Sequence, residues 1–392
     1  MCRQATCILR GACLAIANIM TIIARRIKVG LQVTYRLNPL FVRFRFQYAM
    51  GAAELEAHDT FEKPSRIDAM AESSPRFSTT IAIINDYVTG DIDAPTTAAR
   101  LAKPIEQAYS TADHGVARYN EEMAARNQRT HWSPEEAFEK WGPEQDVPKP
   151  SPEIASLPST EGQLWELWYA ALYAAKRIPW TDEARQNKLL DLVKAFKARP
   201  DPPPPSPMTT PLKRNWIWES GTLWSSLSLL GPSIRESWND ACGHGSGWTN
   251  INAFVARLTT SETAYFDNYA IWALSSALED EIQNNSLHHD TSRLTQLGLS
   301  LTVASVWIQI AGKHLYKRHL NEEESGQVDF EVDLATRRTF PWTQSPNKPS
   351  FCIARWNFWR GRFAQEARNE ELSEGVRELA AKSADIIDGF TR

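Results

Sequence analysis

The chain has 392 residues, 42% hydrophobic and 10% aromatic, enough for one large domain or two ordinary ones around a buried core. Its charge is uneven: residues 1–53 hold eight basic groups and no Asp or Glu, leaving 35 basic and 47 acidic groups over the other 339 residues, a net of −12. An acidic body has no general attraction for a phosphate backbone, which argues against generic nucleic-acid binding.

The first elements raise a question of destination. Residues 11–24 are an apolar run of fourteen, ending at Arg25-Arg26. A bilayer takes roughly 20 residues, so no transmembrane span is expected here. An Arg-rich, acid-free start resembles a mitochondrial presequence, but the first Ser comes only at Ser65. The simpler reading makes residues 1–70 a basic appendage outside the fold, or an upstream extension with Met50 or Met70 as the initiator. Only Cys242 and Cys352 lie in the acidic body, too few for a disulfide framework. The expected location is therefore intracellular, cytoplasmic or nuclear, with the mitochondrion as the alternative.

From Phe77 the pattern turns helical. Phe77, Ile81, Ile84 and Val88 share one face, and Gly90 stops the helix. Pro95 opens a second, running to about Tyr109, with a kink or break expected at Pro104. A third covers 112–128, and Ser133-Pro134-Glu135-Glu136 opens a short fourth. The prolines of 142–158 predict a loop. Thr160 with Gln163 three residues on reads as a capping box. The helix it opens carries Leu164, Trp168, Ala171 and Ala175 on one face. Asp182 and Glu183 start the next, through Leu189, Val193 and Phe196 to Pro200. Residues 200–211 are a proline-rich linker, either a stiff connector or a polyproline ligand.

The divisions predicted are thus 1–70, 71–199, the linker 200–211, and a Trp-rich part 212–392 that packs on 71–199. Ten of the fifteen Trp lie between Trp216 and Trp359. Helices are predicted at 232–240, around Ile251, Phe254, Val255 and Leu258, and over 264–283, where Tyr265, Tyr269 and Trp272 share a face. Over 293–316, Leu294, Leu297, Leu301, Ala304, Ile308, Ala311 and Leu315 alternate spacings of three and four. Leu299, Val303, Val306, Trp307 and Ile310 cover much of the other side, as in a central buried helix. A loop follows over 321–349. Then comes a helix with Cys352, Trp356, Trp359 and Phe363 on one stripe, expected to face the core with Arg355 and Arg362 on a face beside it, and a last helix over about 371–388. No run alternates strongly enough for a strand. The expectation is an all-α protein, an irregular multi-helix bundle of about ten to twelve helices.

The chemistry-bearing patterns are missing. There is no phosphate loop, Rossmann fingerprint, zinc-protease helix or nucleophile elbow. Gly243-His244-Gly245-Ser246-Gly247 has neither glycine spacing and reads as a loop. Cys242 with His244, and His288-His289-Asp290, are two loose pairs where tetrahedral zinc needs four ligands. No metal, cofactor or catalytic residue is assigned. Trp168, Trp272 and Trp307, at helical spacing, are expected in the core. Arg355, Trp356, Trp359 and Arg362 form the candidate binding surface, because aromatics with Arg are the composition of contact surfaces. Its expected partner is an acidic protein or ligand. The rival for the two arginines is pairing with the chain's own carboxylates, such as those of 322–333.

Six stretches together resemble an uncharacterised fungal helical family of the unknown-function type. They are residues 83–105 (IINDYVTGDIDAPTTAARLAKPI), 229–240 (LLGPSIRESWND), 248–259 (WTNINAFVARLT), 269–279 (YAIWALSSALE), 304–316 (ASVWIQIAGKHLY) and 354–363 (ARWNFWRGRF). The resemblance covers about 77–364 and implies a helical fold and a fungal source, with no activity, cofactor or partner. The expected role is a non-enzymatic binding or interaction protein. The alternative is an enzyme or small-ligand binder with a pocket drawn from residues distant in sequence.

Overall fold

Helical periodicity becomes helix wherever the two can be compared. The computed structural model describes residues 74–111, 113–203, 217, 222–241, 245–279, 293–319, 351 and 353–391. All belong to the unit Met50–Arg392. The described residues form thirteen helices, twelve of them of eight residues or more, and no strand. In chain order these are α1 (Pro75–Thr89), α2 (Ala94–Thr111), α3 (Asp113–Arg129), α4 (Pro134–Trp141), α5 (Pro152–Ser156), α6 (Thr160–Arg177) and α7 (Glu183–Lys197). There follow α8 (Leu230–Ala241), α9 (Gly245–Thr260), α10 (Asp267–Leu278), α11 (Arg293–His319), α12 (Ile353–Glu366) and α13 (Glu374–Thr391). The fold is all-α.

Local chemistry sets the helix ends. Ser74 caps α1 through its hydroxyl, which accepts from Phe77 N, and the Gly90 N–H closes the far end on Asp86 O. Ser133 and Glu136 form a reciprocal capping box on α4. The α6 cap lies one residue before the expected one. The Ser159 hydroxyl accepts from Gly162 N, and Gln163 instead donates to Pro158 O. Thr160 is thereby drawn into the buried first turn. Pro104 does not break α2, which continues through it. The proline loop 142–158 contains one helical turn, α5, capped by Ser151.

Two helices act as hubs. α6 packs on α1, α2, α8 and α9, and α11 packs on α9, α10 and α13. α9 lies between the hubs, and every residue from Gly247 to Thr259 is buried. Two asparagines show how α9 serves both sides. Asn250 accepts from Trp180 N at 2.8 Å and donates to Lys176 O at 2.9 Å, tying α9 to the end of α6. Asn252 accepts from Trp307 Nε1 on α11 at 2.7 Å. Burying an amide or an indole N–H costs free energy unless it is hydrogen-bonded, so these pairs fix register as well as filling space. Trp168 and Trp307 are in the core as expected.

α11 is long and apolar enough, by length and composition, to cross a membrane, and half of that window is buried inside the fold. Its partner is α13. A methyl at Gly298 would lie 3.6 Å from Val376, and one at Gly312 would lie 3.5 Å from Phe390. The two contacts are equally spaced along both helices and advance in the same direction, so α11 and α13 run parallel. Ser305 and Ser383, midway between, are both fully buried. Small residues seven apart let the two backbones approach closely.

The residues before Pro202 are tied to the start of the Trp-rich part. The Asp201 carboxylate accepts from the N–H groups of Leu223 (2.8 Å), Trp224 (2.6 Å) and Ser225 (3.3 Å), and from the Ser225 hydroxyl. Beside it, Glu106 Oε1 accepts from Arg199 Nη2 at 2.8 Å and from Trp224 Nε1 at 2.9 Å. Burial pushes the Asp201 carboxyl up, but these donors together outweigh it and hold the group below its ordinary range. A folded-state pKa below the unfolded one means stabilisation that is present above the unfolded value. It is lost as pH falls through the folded one. Asp201→Asn is expected to cost about 1 kcal/mol at neutral pH and to flatten the fall in stability with acid. Urea midpoints for both proteins at neutral and acid pH check this; parallel pH curves would show that Asp201 contributes nothing.

Several expectations fall outside the described residues: the segment 1–70, most of the linker 200–211, Cys242 with His244, His288-His289-Asp290, the loop 321–349, and Cys352.

Candidate functional site

The helix expected to present the binding surface is α12. The structure turns its residues inward. Arg355 is 5% exposed, Trp356 2%, Trp359 0% and Arg362 4%. The reason lies on α10, about eighty residues earlier. Glu279, at the end of that helix, is itself buried and accepts four hydrogen bonds. Two come from Arg355, at 2.6 Å (Nε) and 2.9 Å (Nη2), one from Trp359 Nε1 at 2.7 Å and one from the Ser275 hydroxyl at 3.0 Å. Arg355 Nη2 also donates to Ser275 Oγ at 2.7 Å, and its guanidinium lies 5.1 Å from the centre of the Trp359 ring. Arg362 donates to Leu278 O at 3.2 Å and to Glu366 Oε1 at 3.1 Å.

Arg355 and Arg362, seven apart, do share a face, and that face is applied to the C-terminal turn of α10. Both arginines pair with the chain's own carboxylates, Glu279 and Glu366. Trp356 packs among Phe351, Trp359, Tyr316 and Phe390. These four positions therefore do not form an accessible surface. Periodicity showed which residues share a stripe; it could not show that a carboxylate from α10 would meet it. The arrangement also limits the chemistry available. Glu279 has both oxygens engaged by four donors, which leaves it poorly placed to take a proton from a substrate. Among the described residues, no three His, Cys, Asp or Glu side chains converge as metal ligands.

An arginine beside exposed aromatics occurs elsewhere, on α8 and α10. Trp272, expected in the core, is 41% exposed. α10 buries Tyr269, Ala270, Ala273, Leu274, Ala277 and Leu278, and Trp272 falls on the flank of that stripe. Its ring lies 5.0 Å from that of Tyr269. Tyr269 in turn meets Trp238 at 4.6 Å and Phe266 at 5.7 Å, and Trp238 meets Trp248. Over Trp272, at 5.1 Å, sits the guanidinium of Arg235. Arg235 is exposed and makes no ion pair among the described residues. Tyr265, just before α10, is 56% exposed. Burial raises the pKa of the Tyr269 hydroxyl; Arg235 pulls it back down and Glu236 pushes it up.

The structure thus places a cation with no ion pair among the described residues on an exposed indole, backed by an aromatic ladder. Sequence reasoning passed over Arg235. A signal existed: Gly231, Arg235 and Trp238 recur at spacings of four and three on α8. That is the stripe that meets Phe266, Trp272 and Tyr269.

A family model described as "Protein of unknown function (DUF3632)" matches residues 168–363. The span holds both the Glu279 network and the Arg235–Trp272 pair. No curated protein and no solved structure matches the chain.

Proposed function

We propose that the chain, which belongs to the DUF3632 family, is a non-enzymatic interaction protein whose contact face is built on Arg235, Tyr265 and Trp272. The observation that carries this reading is the Arg235 guanidinium resting on a Trp ring that is 41% exposed, with no ion pair to a carboxylate among the described residues. Arg and Trp are the residue types that dominate binding energy at protein contacts. Trp272 offers a large apolar surface held by Tyr269, and Arg235 offers a planar fork suited to a carboxylate. Within a body of net negative charge, a free arginine selects for an acidic partner.

A photoreactive phenylalanine analogue at position 265, introduced in the native organism, tests the face. It should give a discrete cross-linked species that disappears with Arg235→Glu. The same substitution should shift stability by less than about 0.5 kcal/mol, as for an exposed side chain. A label at exposed Asp91 serves as the control. Equal cross-linking from both positions, or an adduct indifferent to Arg235→Glu, would remove this face from consideration.

A further inference from the structure

The chain carries a second exposed aromatic whose charge setting is the opposite of the first. Phe138 on α4 is 63% exposed, more than any other large apolar side chain described. Glu135 and Glu139 lie to one side of it on the helix surface. Both are exposed, and neither makes an ion pair among the described residues. Trp132 and Trp141 meet edge to face at 5.9 Å, and Lys140 lies 4.0 Å over the Trp132 ring, on the far side of the helix from Glu135. The Ser133–Glu136 capping box fixes the start of the helix. One patch is thus an aromatic with two carboxylates, the other an aromatic with a guanidinium, and none of the three charges is paired among the described residues.

We infer that the chain associates head to tail with a second copy of itself. Phe138 of one copy lies against Trp272 of the next, and Glu135 and Glu139 pair with Arg235. The inference rests on the reading of the Arg235–Trp272 face as a contact surface, and it names the occupant of that face. Arginine–carboxylate pairing sets the register, and the aromatic contact supplies apolar burial. Because the two patches differ, a single contact leaves one patch open on each copy. Association extends into a ring or a short open chain. A contact this small is weak and depends on concentration.

Sedimentation velocity on the full chain, over a wide concentration range at low salt, is the test. The weight-average sedimentation coefficient of the wild type should rise with concentration and fall back when salt is added. Arg235→Glu leaves both patches acidic, and the double change Glu135→Arg with Glu139→Arg leaves both basic. Each variant alone should associate at least about tenfold more weakly than wild type, and an equimolar mixture of the two should associate again. Phe138→Ser, which alters no charge, should also weaken the wild-type association. A wild type that stays monomeric throughout, or a mixture no better than its components, would overturn the inference. If the wild type is monomeric while the position-265 cross-link persists, self-docking fails and the contact face stands. If both are absent, both readings fail.

Discussion

Glu279→Ala is expected to lower stability by about 3–5 kcal/mol, the cost of breaking a buried ion pair from one side. Two groups lose their acceptor at once. Arg355, 5% exposed, loses the carboxylate that accepts two of its hydrogen bonds. Trp359 Nε1, fully buried, loses the oxygen it donates to at 2.7 Å. An orphaned buried donor alone costs about 1–3 kcal/mol. Domains are stable by about 5–15 kcal/mol, so this single change could unfold the protein near physiological temperature. Glu279→Gln, which keeps one acceptor oxygen, should cost less. The double change Glu279→Leu with Arg355→Met should recover part of the loss, because removing both charges also removes their desolvation while Trp359 Nε1 stays without its acceptor. Chemical denaturation of the four proteins checks the order. A Glu279→Ala protein as stable as wild type would mean that α10 and α12 are not joined through this network.

Ala304→Asp is expected to abolish folding. Ala304 is fully buried on α11, the hub of the C-terminal half, and its neighbours one turn away, Leu301 and Ile308, are buried as well. Aspartate there would be larger than the space and would bring a charge with no partner, a cost of several kcal/mol whether it stays ionised or takes up a proton. Lys313→Asp, at an exposed position on the same helix, changes the charge further and should leave folding intact. Far-ultraviolet circular dichroism and solubility separate the two. A helical, cooperatively melting Ala304→Asp protein would show that α11 is not central.

The helices were legible because burial on one side leaves a period of 3.6 in the sequence. α11 carries that period over seven positions, Leu294 through Leu315. Six of them are buried, and Leu294, at the edge, is 38% exposed. Caps were legible to within a residue: Ser133 is the cap expected, whereas Thr160 was expected in place of Ser159 because only Thr160 is followed three residues on by a side chain, Gln163, that could complete a capping box. The site was less legible, for one physical reason. Arg–Trp composition reads alike whether the arginine meets solvent or a buried carboxylate. What separates Arg355 from Arg235 is Glu279, placed beside the first by the packing of α10 on α12 and absent from the second. Trp272 shows the converse. Its spacing from Tyr269 and Tyr265 is helical, yet α10 buries a stripe that passes just beside it.

Hydroxyl-radical footprinting of the native protein, read tryptophan by tryptophan by mass spectrometry, tests directly that the α12 stripe is interior and that the aromatic–Arg contact face lies on α8 and α10. Trp272 should oxidise readily in the folded state, with Trp356, Trp359 and Trp307 protected until denaturant unfolds the chain. Oxidation of Trp356 and Trp359 as fast as Trp272 would return the contact surface to α12 and contradict the buried Glu279 network.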